Sequence, residues 1–191
     1  MRELTQEEKK ILDDFGMRRG VFTHLQDLID EWLVNKKDLI GIEIGSYAGE
    51  STEMFINSGA FKTLYCIDPW QVGYDPDDET ACKKLLKSEL AFDIRFKNNP
   101  VVKKLKMTSS DAVFQFEDNS IDFVYIDGNH QYEFTRVDIL NYFPKVKSHG
   151  IIAGHDYGGP TTPGVKRAVL ECFCKPPLRT YLDYSWMYVK A

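Results

Sequence analysis

The polar and apolar positions of this chain change period along its length, and the changes divide it into elements. "TQEEKKILDDFG" and "FTHLQDLIDEWLVN" carry apolar residues at helical spacing, with Thr5 and Thr23 where caps belong, so residues 1–36 read as an N-terminal helical segment. From Leu39 onward, short continuous apolar runs take over: "LIGIEIG", "KTLYCID", "VVKKLK", "DFVYID" and "GIIAGHDY", each brief enough for a buried strand. Helical patterns separate them in "ESTEMFINSG", "SSDAVFQF" and "YEFTRVDILNYFPKV", and "PGVKRAVLECFC" follows with Pro163 near its start. This alternation predicts an α/β fold, a mostly parallel sheet with helices on both faces. "LRTYLDYS" and "WMYVKA", with almost nothing between them, predict a C-terminal antiparallel hairpin that brings the sheet to seven strands. Residues 69–104 form a long, mostly polar connection with a helical middle, expected to cap a substrate site. No repeat or linker interrupts the pattern, which describes a single domain over residues 1–191.

Composition narrows the function classes. A chain of 191 residues buries on the order of 70% of its extended surface and needs no staples. Its 24 basic and 29 acidic residues leave a formal charge of −5, which works against binding a phosphate backbone, so no nucleic-acid partner is expected. No apolar run approaches the roughly 20 residues of a membrane helix, and "MRELTQEEKK" has no apolar signal core. A cytoplasmic protein without membrane partners is the expectation. Cys66, Cys82, Cys172 and Cys174 form no disulfide or zinc pattern and read as reduced thiols.

Candidate chemistry collects where strands end. "EIGSYAGES" sets Gly45 and Gly49 between a strand and a helix, a turn that lets a ligand approach the backbone and the free N–H groups of the helix start. It lacks the lysine of a P-loop, and Tyr47 stands where a dinucleotide fingerprint needs its second glycine. Asp68 closes the next strand, the place from which a carboxylate accepts both hydroxyls of a ribose, although it also suits a cap before Pro69. A nucleoside cofactor without a polyphosphate cradle points to S-adenosylmethionine (SAM). Trp70 and Tyr74, just beyond, are candidates to flank a base or wall an acceptor, with core packing as the alternative. "YDPDDE", Tyr74 to Glu79, reads as a solvated loop rather than a calcium site.

The strings "EIGSYAGEST", "YCIDPW", "SSDAVFQFEDNSIDFVYIDGNHQYEFTRVDI" and "KSHGIIAGHDYGGPTTPGVKRAV" together resemble the class I SAM-dependent methyltransferases of the Methyltransferase-24 type, from about Leu39 to the end. Relatives of that type include metal-dependent O-methyltransferases of sugars. The resemblance implies a Rossmann-like class I fold and a SAM site in which Glu43, Gly45 and Gly49 line the methionine part, with Ser46, Ser51 and Asp127 also among the cofactor-binding residues. It places Asp68 at the ribose and Ser109, Ser110 and Asp111 near the adenine, without saying which of the three makes the contact. Asp127 and Asp156 match the strand-end acids that hold Mg²⁺ in metal-dependent relatives. The neighbour of Asp156 here is His155, where those relatives often have a second acid.

Asp127, His130, His155 and Asp156 therefore carry three readings. The two aspartates hold a divalent ion that orients and acidifies a substrate hydroxyl; or His130 or His155 is a general base without metal; or the acids cap loops and the histidines are packed. The expected reaction is methyl transfer from SAM to a hydroxyl of a small acceptor, a sugar or glycoside. A metal-independent N- or O-methyltransferase and a SAM-binding module without catalysis are the alternatives. A homodimer through the N-terminal helices is a further expectation.

Overall fold

The structure, a computed structural model, describes residues 3–15, 23–75 and 79–191. Two helices precede the sheet, α1 (Gln6–Asp14) and α2 (Thr23–Trp32). Thr5 caps α1 as the sequence predicts, its hydroxyl accepting from the Glu8 N–H while Glu8 accepts from the Thr5 N–H. The side chain of Thr23, at the first position of α2, lies outside the described residues. Then follow β1 (Leu39–Ile44), α3 (Glu50–Asn57), β2 (Phe61–Asp68), α4 (Glu79–Phe96), β3 (Val102–Lys106) and the single turn α5 (Ser109–Ala112). The chain continues through β4 (Ile121–Ile126), α6 (Tyr132–Tyr142), β5 (Val146–Gly154), α7 (Pro163–Phe173), β6 (Arg179–Thr180) and β7 (Trp186–Val189).

The strand order is β3-β2-β1-β4-β5-β7-β6. The pairs among β1 to β5 are parallel, and β7 runs antiparallel to both β5 and β6, which is the predicted seven-stranded sheet with its closing hairpin. Alternation along the central strands feeds two cores. Phe123 and Tyr125 face α2, α3 and α4, where Phe55 meets both rings edge-on at 5.3 and 5.1 Å. Val124 and Ile126 face α6 and α7, with Ile139, Tyr142, Val165 and Val169. The long connection proves to supply a layer helix: Leu85 and Phe92 of α4 are buried in the first core, while among the described residues the start of the segment, from Pro69 to Asp75, together with Lys84 and Leu85 lines the strand-end cleft.

β1 lies between β2 and β4, so the chain leaves it in one direction and returns on its other side. Such a reversal opens a crevice at the carboxyl ends of the strands. Ile44 is level with both Ile67 and Ile126, and Ile126 is level with Gly154. Gly45, Asp68, Asp127 and His155 therefore leave the sheet side by side. Gly45 has a φ of 87°, and a Cβ there would stand 1.9 Å from the carbonyl oxygen of Asp127. Behind this turn Glu43 is fully buried, its carboxylate accepting from Ser46 at 2.9 Å, Ser51 at 2.5 Å and Thr52.

Gly45→Ala places a side chain where both the backbone angle and the space forbid it. The expected loss is about 2 to 4 kcal/mol of stability, read from the urea midpoint, with loss of ligand binding at the turn. Burial pushes Glu43 from the ordinary carboxylate value up to about 7, against the opposing pull of the three hydroxyls. The native chain then keeps a proton that the unfolded chain gives up, so stability should fall by roughly 1 to 3 kcal/mol as the pH rises from about 4.5 to 7. Urea unfolding at pH 5.5 and pH 8 measures this, and Glu43→Gln should flatten it.

Candidate active site

The cleft above the level strand ends is a cavity of about 430 Å³. Asp68 stands on its β2 side, 8% exposed, and its carboxylate accepts the backbone N–H groups of Tyr47 at 2.9 Å and Trp70 at 2.6 Å. Burial raises its pKa and these two bonds counter the rise. Tyr47 and Trp70 both have φ near 44°, so one carboxylate ties down two strained corners, the glycine turn and the exit from β2. This is the capping role that the sequence offered for Asp68. The carboxylate also faces the cavity, so the ribose role stands beside it.

Across the switch point, the ends of β4 and β5 bring Asp127, His130, His155 and Asp156 together. The His130 ring is held at both nitrogens, Nδ1 at 2.7 Å from an Asp75 carboxylate oxygen and Nε2 at 3.0 Å from an Asp156 oxygen. His155 Nδ1 lies 3.2 Å from Asp156 and 3.7 Å from Asp127, while its Nε2 is buried without a hydrogen-bond partner among the described residues. Asp156 has a φ of 64°. It is steadied by the Thr162 hydroxyl, which reaches its carbonyl at 3.2 Å and its carboxylate at 3.3 Å.

The electrostatics follow from this packing. Burial opposes charge on both imidazoles, yet the bonds to Asp156 and Asp75 outweigh it and push His130 up to about 11. Burial is likewise overcome at His155, which the Asp127 charge and the Asp156 bond carry up to about 9. Burial would also raise Asp156, but its two histidine partners hold it well below the ordinary carboxylate range. Asp127 goes the other way, raised chiefly by burial, with His155 opposing. The carboxylates of the cluster thus favour the protonated form of both imidazoles. Asp127, His130 and Asp156 each offer a ligand atom, all within 4.8 Å of one another. Two carboxylates and an imidazole are a donor set that suits a divalent ion, which would take the place of the proton His130 shares with Asp156.

The residues singled out from the sequence fall into two groups. Asp127, His130, His155 and Asp156 meet on the cavity wall, with Gly45, Ser46, Ser51, Asp68 and Ser109 on its other sides. Glu43, Gly49, Ser110 and Asp111 are not on that wall. Glu43 is the buried brace behind the turn, and Gly49 (φ 85°) faces the rings of Phe96 and Phe92. Asp111 and Ser110 are exposed, the Asp111 carboxylate accepting the Thr108 hydroxyl at 2.7 Å. Trp70 belongs to the core, 5% exposed, its Nε1 donating to the Tyr47 carbonyl at 2.8 Å. Tyr74 does line the cavity.

Three contributors lay outside the sequence reading. Asp75 stands in a stretch whose composition suggested only a solvated loop, of which residues 76–78 lie outside the described residues. Its oxygen receives the His130 backbone N–H at 3.0 Å as well as contacting the ring, and Asn129 donates to the Tyr74 carbonyl at 2.6 Å. These contacts clip residues 74–75 to the β4–α6 loop. The third is Asp138, a buried carboxyl on α6 that also lines the cavity. Its signal was present: Thr135, Asp138, Ile139 and Tyr142 share the buried helix face at helical spacing, and an acid in that stripe calls for a reason.

Residues 42–157 match the family described as a methyltransferase domain. The uncharacterized protein R132 of Acanthamoeba polyphaga mimivirus is 33% identical over 141 residues, 70% of this chain, which in turn spans 60% of that protein's length. Among solved structures, the chain is similar to CalS11, a TDP-rhamnose 3'-O-methyltransferase of calicheamicin biosynthesis, with a TM-score of 0.62 and 17% identity over 98% of this chain and 87% of that one. The O-methyltransferase NovP is similar at a TM-score of 0.60 and 18% identity, over 91% and 78% of the two chains. At such identities the structural likeness speaks for the fold, and it is the predicted Rossmann-like one. No helix among the described residues is long and apolar enough to cross a membrane. With the family matched across the glycine turn, the β2 acid and both strand-end acids, the chain belongs to the class I SAM-dependent methyltransferases of the Methyltransferase-24 type.

Proposed function

We propose that this chain transfers the methyl group of SAM to a hydroxyl oxygen of a small acceptor, and that Asp127, His130 and Asp156 hold a divalent ion for that step. The observation that supports it is the convergence of these three side chains on the cavity that also contains the glycine turn and Asp68. Methyl transfer is an in-line displacement in which the acceptor oxygen bonds to the methyl carbon as the S–CH3 bond breaks, S-adenosylhomocysteine leaves and the hydroxyl proton passes to solvent, so the protein contributes mainly alignment and acidification of that hydroxyl. Alignment of two bound reactants is worth roughly 7 to 11 kcal/mol when geometry is good.

The carboxylate partners of His130 and His155 favour their protonated forms, which works against a base role for either ring. A divalent ion held there would supply what they lack, a positive charge that makes a nearby hydroxyl more acidic. Asp127, His130 and Asp156 would bind it. Asp75 and Thr162 keep His130 and Asp156 in place, and Asp68 orients the ribose so that the methyl group faces the strand ends. A sugar or glycoside hydroxyl is the preferred acceptor class, in line with the TDP-rhamnose activity that the CalS11 name states.

Titration with S-adenosylhomocysteine tests the cofactor assignment. Asp68→Ala should weaken that binding by about 1 to 3 kcal/mol, and an unchanged dissociation constant would refute the ribose contact. Asp156→Ala should abolish both turnover and the heat of Mg²⁺ or Mn²⁺ binding while changing S-adenosylhomocysteine affinity less than about twofold, since it removes a metal ligand and leaves the cofactor contacts intact. Full turnover of the wild-type protein in EDTA would remove the metal from the reaction.

A further inference from the structure

Asp138 is only 4% exposed, yet it forms part of the cavity wall. One carboxyl oxygen, Oδ1, accepts the Ser109 hydroxyl at 2.5 Å. Ser109 is itself fixed, its carbonyl receiving the Tyr142 hydroxyl at 2.8 Å. No lysine, arginine or histidine among the described residues pairs with Asp138, and Oδ2 has no hydrogen-bond partner among them. Gly128 lies beside that oxygen, a Cβ there standing 3.9 Å from it, and the unpartnered Oδ2 keeps some accessible surface. The titratable groups that face the carboxyl are Tyr74 and Tyr142, both raised chiefly by burial and further by Asp138. Burial likewise lifts Asp138 to about 7, with only the Ser109 bond opposing. A buried carboxyl with one oxygen unmet inside a ligand cavity is a place for a donor from the ligand.

Its position selects which donor. Ser109 follows β3 and Asp68 ends β2, both on the side of β1 away from Asp156, which follows β5. A SAM molecule with its sulfonium near the strand-end acids and its ribose at Asp68 has its base one strand farther, at Ser109 and Asp138. The edge of adenine offers an amino donor beside a ring-nitrogen acceptor. A carboxyl accepts from that amine in either protonation state, and when neutral it also donates to the adjacent ring nitrogen. Asp111 offers no competing contact, being exposed and bonded to Thr108.

We propose that Asp138, positioned by Ser109, recognises the exocyclic amino group of the SAM adenine in place of Asp111. This rests on the reading of the cavity as a SAM site, and calorimetry with two ligands separates the two claims. The ligands are S-adenosylhomocysteine and its 6-deamino analogue, in which purine replaces adenine. The wild-type protein should bind the deamino compound about ten- to a hundredfold more weakly, the range of one hydrogen bond to a charged or strongly polarised partner. Asp138→Ala should bind both compounds within about twofold of each other, and Asp111→Ala should keep the full wild-type preference.

An amine preference that survives in Asp138→Ala overturns the proposal and leaves the SAM site intact. Absence of binding of either compound to the wild-type protein overturns the SAM site itself. Thermal melting shows whether Asp138→Ala is folded. Should it not be, a wild-type preference under twofold, or one lost in Asp111→Ala, overturns the assignment, whereas a large preference kept in Asp111→Ala upholds it.

Discussion

The contact between the Gly45 turn and the Asp127 carbonyl is the constraint on which the site depends. It exists because β1 and β4 are parallel neighbours in register, so their ends arrive at one level and the two exit loops must share the same space. A left-handed glycine lets them do so, since any side chain at 45 would occupy the position of the Asp127 backbone. From this one closeness follow the mouth of the crevice, the aim of the α3 N-terminus and the position from which Asp127 faces His155. Glu43 supports the arrangement from behind, fastening Ser46 of the turn to Ser51 and Thr52 of α3.

The acids of the cleft present a second problem, since burial opposes the charge of several carboxylates gathered at neighbouring strand ends. The structure meets this by placing each strand-end acid beside an imidazole. Asp156 stands between His130 and His155, and Asp75 reaches in from the β2 side to hold the far nitrogen of His130. Charge is thereby compensated within the cluster itself. The link from Asp75 also joins the chain beyond β2 to the loop that follows β4.

The N-terminal helix enters the same design. Arg95 of α4 donates to the carbonyls of Ala48 at 2.7 Å and Phe15 at 2.5 Å. One guanidinium so joins the glycine turn to the end of α1, while Phe15 packs edge-on against Tyr47 at 5.7 Å. Asp14 and Phe15 consequently form part of the cavity wall, and α1 is a component of the pocket as well as a brace.

The order and type of the elements were legible in the sequence because they rest on local causes. Period-two and continuous apolar runs mark strands, helical spacing marks helices, and the short connection between β6 and β7, residues 181–185, suits a hairpin. The acids and imidazoles at the ends of β4 and β5 were legible for the same reason, since strand ends in such a sheet converge on one crevice. Partner choice was not. Glu43 sits in the glycine motif, and only packing shows that its carboxylate turns inward to three hydroxyls. Asp75 sits 55 residues from His130 in a stretch with no periodic signal, and Asp138 lies 29 residues from Ser109. Such pairings are set by how loops and helices cross in space, which local propensity does not encode, and tertiary structure alone decided them.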